Sequence, residues 1–108
     1  MRGIDSIILA RYYVGMIKSF KDKEARKIFN REYSRRLPSS IQRVAMRKLW
    51  MMDAAMSLSD LRLPPANHLE ALKGKRSGQH SIRINSQYRI CFKWSEQDAY
   101  EVEITDYH

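Results

Sequence analysis

The chain ends on three proton-handling side chains in a row, Asp106, Tyr107 and His108. Carboxylates, phenols and imidazoles commonly donate or accept protons in catalysis. The plain alternative is a frayed terminus, because chain ends are often poorly ordered. Upstream, Lys73, Lys75, Arg76, Arg83 and Arg89 fall in one stretch without a single acidic residue. Proton carriers and clustered cations in one small chain point to a polyanion partner, most simply nucleic acid or the ribosome.

The charge balance supports that direction. The 108 residues carry a formal net charge of +8, and the pI is near 9.9. The excess sits in residues 1–54, with 13 basic against 5 acidic side chains, while residues 55–108 hold 7 of each. A merely solvated surface is the competing explanation. The single cysteine, Cys91, rules out an internal disulfide and a multi-cysteine zinc site. A reducing cytoplasm fits it best. No stretch approaches the ~20 apolar residues of a membrane span, and Ile7 to Ala10 is too short for a signal peptide.

The elements that must position these residues follow from periodicity. The length predicts one domain. Residues 1–15 precede "MIKSF", which reads as a natural beginning, so they are expected to be an extension upstream of a native start at Met16. "MIKSF" itself is β-compatible. Asp22 is placed to cap a helix over "DKEARKIFNREYSRR", with Ala25, Ile28, Phe29 and Tyr33 on its apolar face. After Pro38, Ser39 or Ser40 is expected to cap a second helix with Ile41, Val44, Ala45, Leu49, Met52 and Ala55 in one stripe. Met46, Met51, Met52 and Met56 read as gap-filling core or flank residues. "SLSDLRL" adds one helical turn, and Pro64-Pro65 stops any helix.

Beyond the prolines the period changes to two. "HLEAL" is a short strand candidate and "KGKRSG" a basic loop. His80, Ile82 and Ile84 share one face of the next strand, against Ser81, Arg83 and Asn85. Tyr88, Ile90, Phe92 and Trp94 share a face of the third, against Arg89, Cys91 and Lys93. In the last, Tyr100, Val102 and Ile104 are expected inward, and Glu101, Glu103, Thr105 and Tyr107 outward. The prediction is an α+β domain, with an N-terminal strand and two helices on an antiparallel sheet that has one buried and one open face. Parity puts Arg83, Arg89 and Tyr107 together on the open face, which suits an RNA backbone and a stacked base. Parity puts Asp106 on the other face, unless the strand has already ended.

"MIKSF", "LEALKGKRSG", "SIRIN" followed by "YRICF", and the terminal "DYH" together resemble the HigB toxins of the RelE superfamily. The resemblance runs from Met16 to His108. It implies a compact microbial-RNase-like fold and a ribosome-dependent mRNA endonuclease of a toxin–antitoxin system. It also implies a HigA-type helix-turn-helix antitoxin, contact with promoter DNA only through that antitoxin, and no membrane. The family's terminal catalytic residues match Asp106, Tyr107 and His108, its strand-pair arginines match Arg83 and Arg89, and its basic loop residue matches Lys73. One branch has "LHPLKG" where this chain reads "LEALKG", so that branch's catalytic histidine aligns with Glu70; His68 and His80 lie nearby and could compensate. Lys73, Lys75, Arg76 and His80 are assigned to RNA or ribosome contact. Metal-independent cleavage of this kind uses the ribose 2′-OH as nucleophile and needs no cofactor. It requires a base, an acid and cations for the developing charge. The competing function is a non-catalytic basic module that binds RNA or the ribosome.

Overall fold

The structure is a computed structural model that describes residues 15–106. Tyr107, His108 and residues 1–14 lie outside that range. Two helices, α1 (Lys23–Phe29) and α2 (Ser39–Ala54), precede four strands: β1 (Glu70–Ala71), β2 (Gln79–Arg83), β3 (Tyr88–Ser95) and β4 (Asp98–Asp106). Short 3-10 turns lie at Leu58–Arg62, Pro65–Asn67 and Gly74–Arg76. The strands pair antiparallel in the order β1-β2-β3-β4. Ala25, Ile28, Ile41, Ala45, Leu49 and Met52 of the helices close one core with Ile82, Ile90, Phe92, Val102 and Ile104 of the sheet. The α+β class is as the change of period predicts. Among the described residues no helix is long and apolar enough to cross a membrane.

Helix α1 starts where expected, because one Asp22 carboxylate oxygen accepts from the Ala25 amide at 2.7 Å. The other accepts from the Ile104 amide at 3.3 Å, fastening the helix to β4. The helix is much shorter than its apolar spacing suggests. It ends at Asn30, and Arg31 turns into the left-handed region at φ 65°. Buried Ser34 competes for the chain: its hydroxyl donates to Glu24 at 2.6 Å, and its backbone pairs with the Gln42 side chain. Tyr33 is therefore exposed rather than part of the apolar face. Ser39 and Ser40 are the first helical residues of α2 instead of its cap; Pro38 holds the cap position without a side-chain bond.

The expected N-terminal strand is reduced to two isolated parallel bridges, Ile17 to Ala99 and Phe20 to Val102. The cause lies in β4. Cys91 pairs with Glu103 but Lys93 pairs with Tyr100, so β4 holds one extra residue there. Glu101 adopts φ 52° at this bulge, and its amide bonds to Ser19 Oγ at 2.9 Å. The bulge reverses parity, so Ala99 is buried and Tyr100, expected inward, faces out. The second face of the sheet is also less open than alternation predicts. Ser81, Cys91 and Arg89 are buried. Arg76 reaches over them, from Gln79 at 3.0 Å to Glu103 at 3.1 Å.

The β3–β4 turn contains only Glu96 and Gln97, both at positive φ (48° and 71°). Such two-residue turns favour Asn-Gly, because side chains other than Gly and Asn strain there. Gln97→Gly is expected to raise stability by about 0.5–1 kcal/mol, read as a higher urea midpoint with an unchanged slope.

Candidate active site

The site forms where the β2–β3 hairpin meets the turn before β1. Register pairs Arg83 with Arg89, and Arg89 with Thr105, in one row across β2, β3 and β4. Glu70 of β1 pairs with Ser81, one row away on the same face. Arg89 is nearly buried and held on several sides. Its Nε donates to Ser81 Oγ at 2.7 Å, and Nη2 donates to the His68 carbonyl. Glu70 Oε1 lies 3.5 Å from Nη2. A guanidinium held in this way by its own fold is fixed in position before any ligand arrives. Among the described residues the Arg83 guanidinium has no hydrogen-bond or ion-pair partner. His68, Glu70, Arg83, Asn85, Ser86 and Arg89 line a cleft of about 300 Å³.

A third cation stands behind the arginines. Lys48 Nζ donates to the Arg83 carbonyl at 2.7 Å and to Asn67 Oδ1 at 2.9 Å. Burial, then the charges of Arg83 and Arg89, push the Lys48 pKa down. Asn67 is fully buried. Its amide donates to the Leu61 and Leu63 carbonyls, each at 3.1 Å, so one side chain fixes the two 3-10 turns and aims Lys48. Neither residue stands out by motif. The missed signal is that Lys48 occupies the helical register of Ile41, Ala45 and Met52, where a buried apolar residue belongs.

The expected site residues divide. Arg83, Arg89 and Glu70 come together around the cleft. Asp106 closes β4 opposite Tyr88, and its carboxylate accepts from Gln87 Nε2 at 3.0 Å. Tyr107 and His108 follow it but lie outside the described residues. Lys73 and Lys75 are exposed on the basic loop, whereas Arg76 is engaged with Gln79 and Glu103. His80 is not brought to the cleft. Its ring stacks on Phe92 at 6.1 Å, beside a separate hollow lined by Leu58, Leu69 and Ala71. Burial pushes its pKa down, and its Nδ1 has no partner.

Residues 18–108 match the family of HigB RelE-like toxins of type II toxin–antitoxin systems. The chain belongs to this family. It is 46% identical over 80 residues to Toxin HigB-1 of Vibrio cholerae, covering 73% of this chain and 84% of that one. It is 34% identical over 94 residues to Endoribonuclease HigB of Proteus vulgaris, covering 86% of this chain and 100% of that one. A HigB toxin of a type II system implies an antitoxin partner.

Two substitutions separate the scaffold from the charge. Asn67→Ala leaves two carbonyls and Lys48 without their shared partner, and about 2–3 kcal/mol of stability is expected to go, measured by urea unfolding. Lys48→Met loses hydrogen bonds but relieves repulsion from Arg83 and Arg89. Its stability change is expected to be smaller, while the rise in melting temperature produced by inorganic phosphate shrinks relative to wild type.

Proposed function

We propose that this HigB-family toxin is an endoribonuclease that enters the decoding site of the ribosome and cuts messenger RNA there, stopping translation in the cytoplasm. The observation that carries the reading is a cleft lined by Arg83 and Arg89, with Lys48 behind them, in which Glu70 is the one acidic lining residue among the described residues. Such a site is short of negative charge, and a phosphodiester supplies it. The name of the Proteus vulgaris relative supports ribonuclease activity.

The chemistry follows from the arrangement. The 2′-oxygen of the ribose attacks the adjacent phosphorus, and the bond to the 5′-oxygen breaks. Arg83 and Arg89 meet the charge that builds on the non-bridging oxygens. Glu70 stands on the β1 side of the arginine row, and Asp106 ends β4 on the other side. Acid and base duties divide between these two flanks, as attack in line with the leaving group requires. Tyr107 orients or stacks the nucleotide being cut. Lys73 and Lys75 extend the positive path for the strand or the ribosome. The antitoxin is of the HigA type with a helix-turn-helix, and DNA is reached only through it.

Primer extension on messages carried by programmed ribosomes tests the activity. New 5′ ends are expected with the wild-type protein, and Arg89→Ala is expected to lower their rate by roughly 10²–10³-fold. Deleting Tyr107 and His108 separates enzyme from simple binder. Ribosome binding retained with cleavage lost supports the enzyme; growth arrest retained after the deletion supports the non-catalytic module.

A further inference from the structure

We infer that His68 is the proton carrier on the β1 flank of the cleft, a catalytic residue placed beside Glu70; the inference rests on the ribonuclease reading above. Three observations lead to it. First, His68 lines the cleft together with Glu70, Arg83 and Arg89. Second, the backbone at His68 is held in the left-handed region at φ 44°. A histidine pays for that conformation, and such strain gathers at functional sites. The surroundings enforce it: the His68 carbonyl accepts from Arg89, its amide donates to the Pro65 carbonyl at 3.0 Å, and the preceding Asn67 is locked by donating to the Leu61 and Leu63 carbonyls and accepting from Lys48. Third, the imidazole is exposed and has no hydrogen-bond partner among the described residues. It is available to a ligand in the cleft.

The other candidates on this flank serve less well. His80 lies on the far face of β2, against Phe92. The Glu70 carboxylate is turned to Arg89, with Oε1 3.5 Å from Nη2, which occupies it as a partner of that guanidinium. Glu70 therefore acts as a partner of Arg89 and His68 as the group that moves a proton. The balance is simple. One proton leaves the 2′-OH for a base, one reaches the departing 5′-oxygen from an acid, and the products are a 2′,3′-cyclic phosphate and a 5′-hydroxyl. His68 handles one of these protons, and a group at the end of β4 handles the other.

Among the described residues, the charged groups that line the cleft with His68 are Glu70 from β1, Arg83 from β2 and Arg89 from β3, with Lys48 from α2 bonded to the neighbouring Asn67 and to the Arg83 carbonyl. The test is the single-turnover rate of message cleavage on programmed ribosomes, from pH 5.5 to 8.5. It compares wild type, His68→Asn, Glu70→Gln and Arg89→Ala. Asn tolerates the left-handed backbone but carries no titrating proton. His68→Asn is expected to lose about 100-fold or more in rate and to lose one inflection of the pH profile, with an unchanged melting temperature. Glu70→Gln is expected to lose less and to keep that inflection. A His68→Asn rate within a few-fold of wild type, or an unaltered inflection, would overturn the assignment. If Arg89→Ala also cleaved at the wild-type rate, the cleft itself would be the wrong site. A wild-type protein that cut nothing would remove the ribonuclease reading along with this one.

Discussion

Asn67 is the constraint on which the site depends. Its side chain accepts from Lys48 and donates to the carbonyls of Leu61 and Leu63. It thereby fixes the irregular segment between α2 and β1, which no ladder supports. From that anchor the next residue, His68, offers its carbonyl to Arg89, and the Lys48 ammonium is directed at the Arg83 carbonyl. Buried polar groups are costly unless every one is paired. Here Lys48 Nζ and Arg89 Nε are paired with neutral oxygens, which satisfies hydrogen bonds without cancelling charge. Three cations are kept close together, and Glu70 is ion-paired with one of them, Arg89. That residual charge makes the cleft receptive to a phosphate.

The sheet converts this local device into a directed one. Pairing of Arg83 with Arg89, and of Arg89 with Thr105, sets two guanidiniums side by side and runs the row toward the end of β4. The middle of that face is covered. Arg76 spans from Gln79 to Glu103 over the buried Cys91, whose thiol pKa is pushed up by burial. The bulge at Glu101 turns Tyr100 outward at the far end of the same strand. The arginine row therefore lies at the Asp106 end of β4, away from the bulge.

Much of this was legible in the sequence, for identifiable reasons. Alternation in "SIRIN" and "YRICF" placed Arg83 and Arg89 on one face because a strand's period is fixed by its pleat. It also placed His80 with Ile82 and Ile84, and the structure keeps it there, away from the cleft. The stripe of Ile41, Ala45, Leu49 and Met52 read correctly because helical burial follows 3.6-residue spacing. Local patterns were silent where long-range partners decide. The truncation of α1 depends on Ser34 meeting Gln42, the reversal at Tyr100 depends on Ser19 holding the bulge, and the cover over Cys91 depends on Arg76 finding Glu103. Lys48 was visible only as a charge in an apolar register, which gains meaning once Asn67 and Arg83 are seen beside it.

The central claim is that this cation cleft acts on RNA through the ribose hydroxyl. The most direct measurement replaces the nucleotide at a mapped cleavage position by its 2′-deoxy form, in a message presented on ribosomes. The account predicts that binding persists while cleavage at that position disappears. Cleavage of the deoxy message at the rate of the all-ribose one would contradict it.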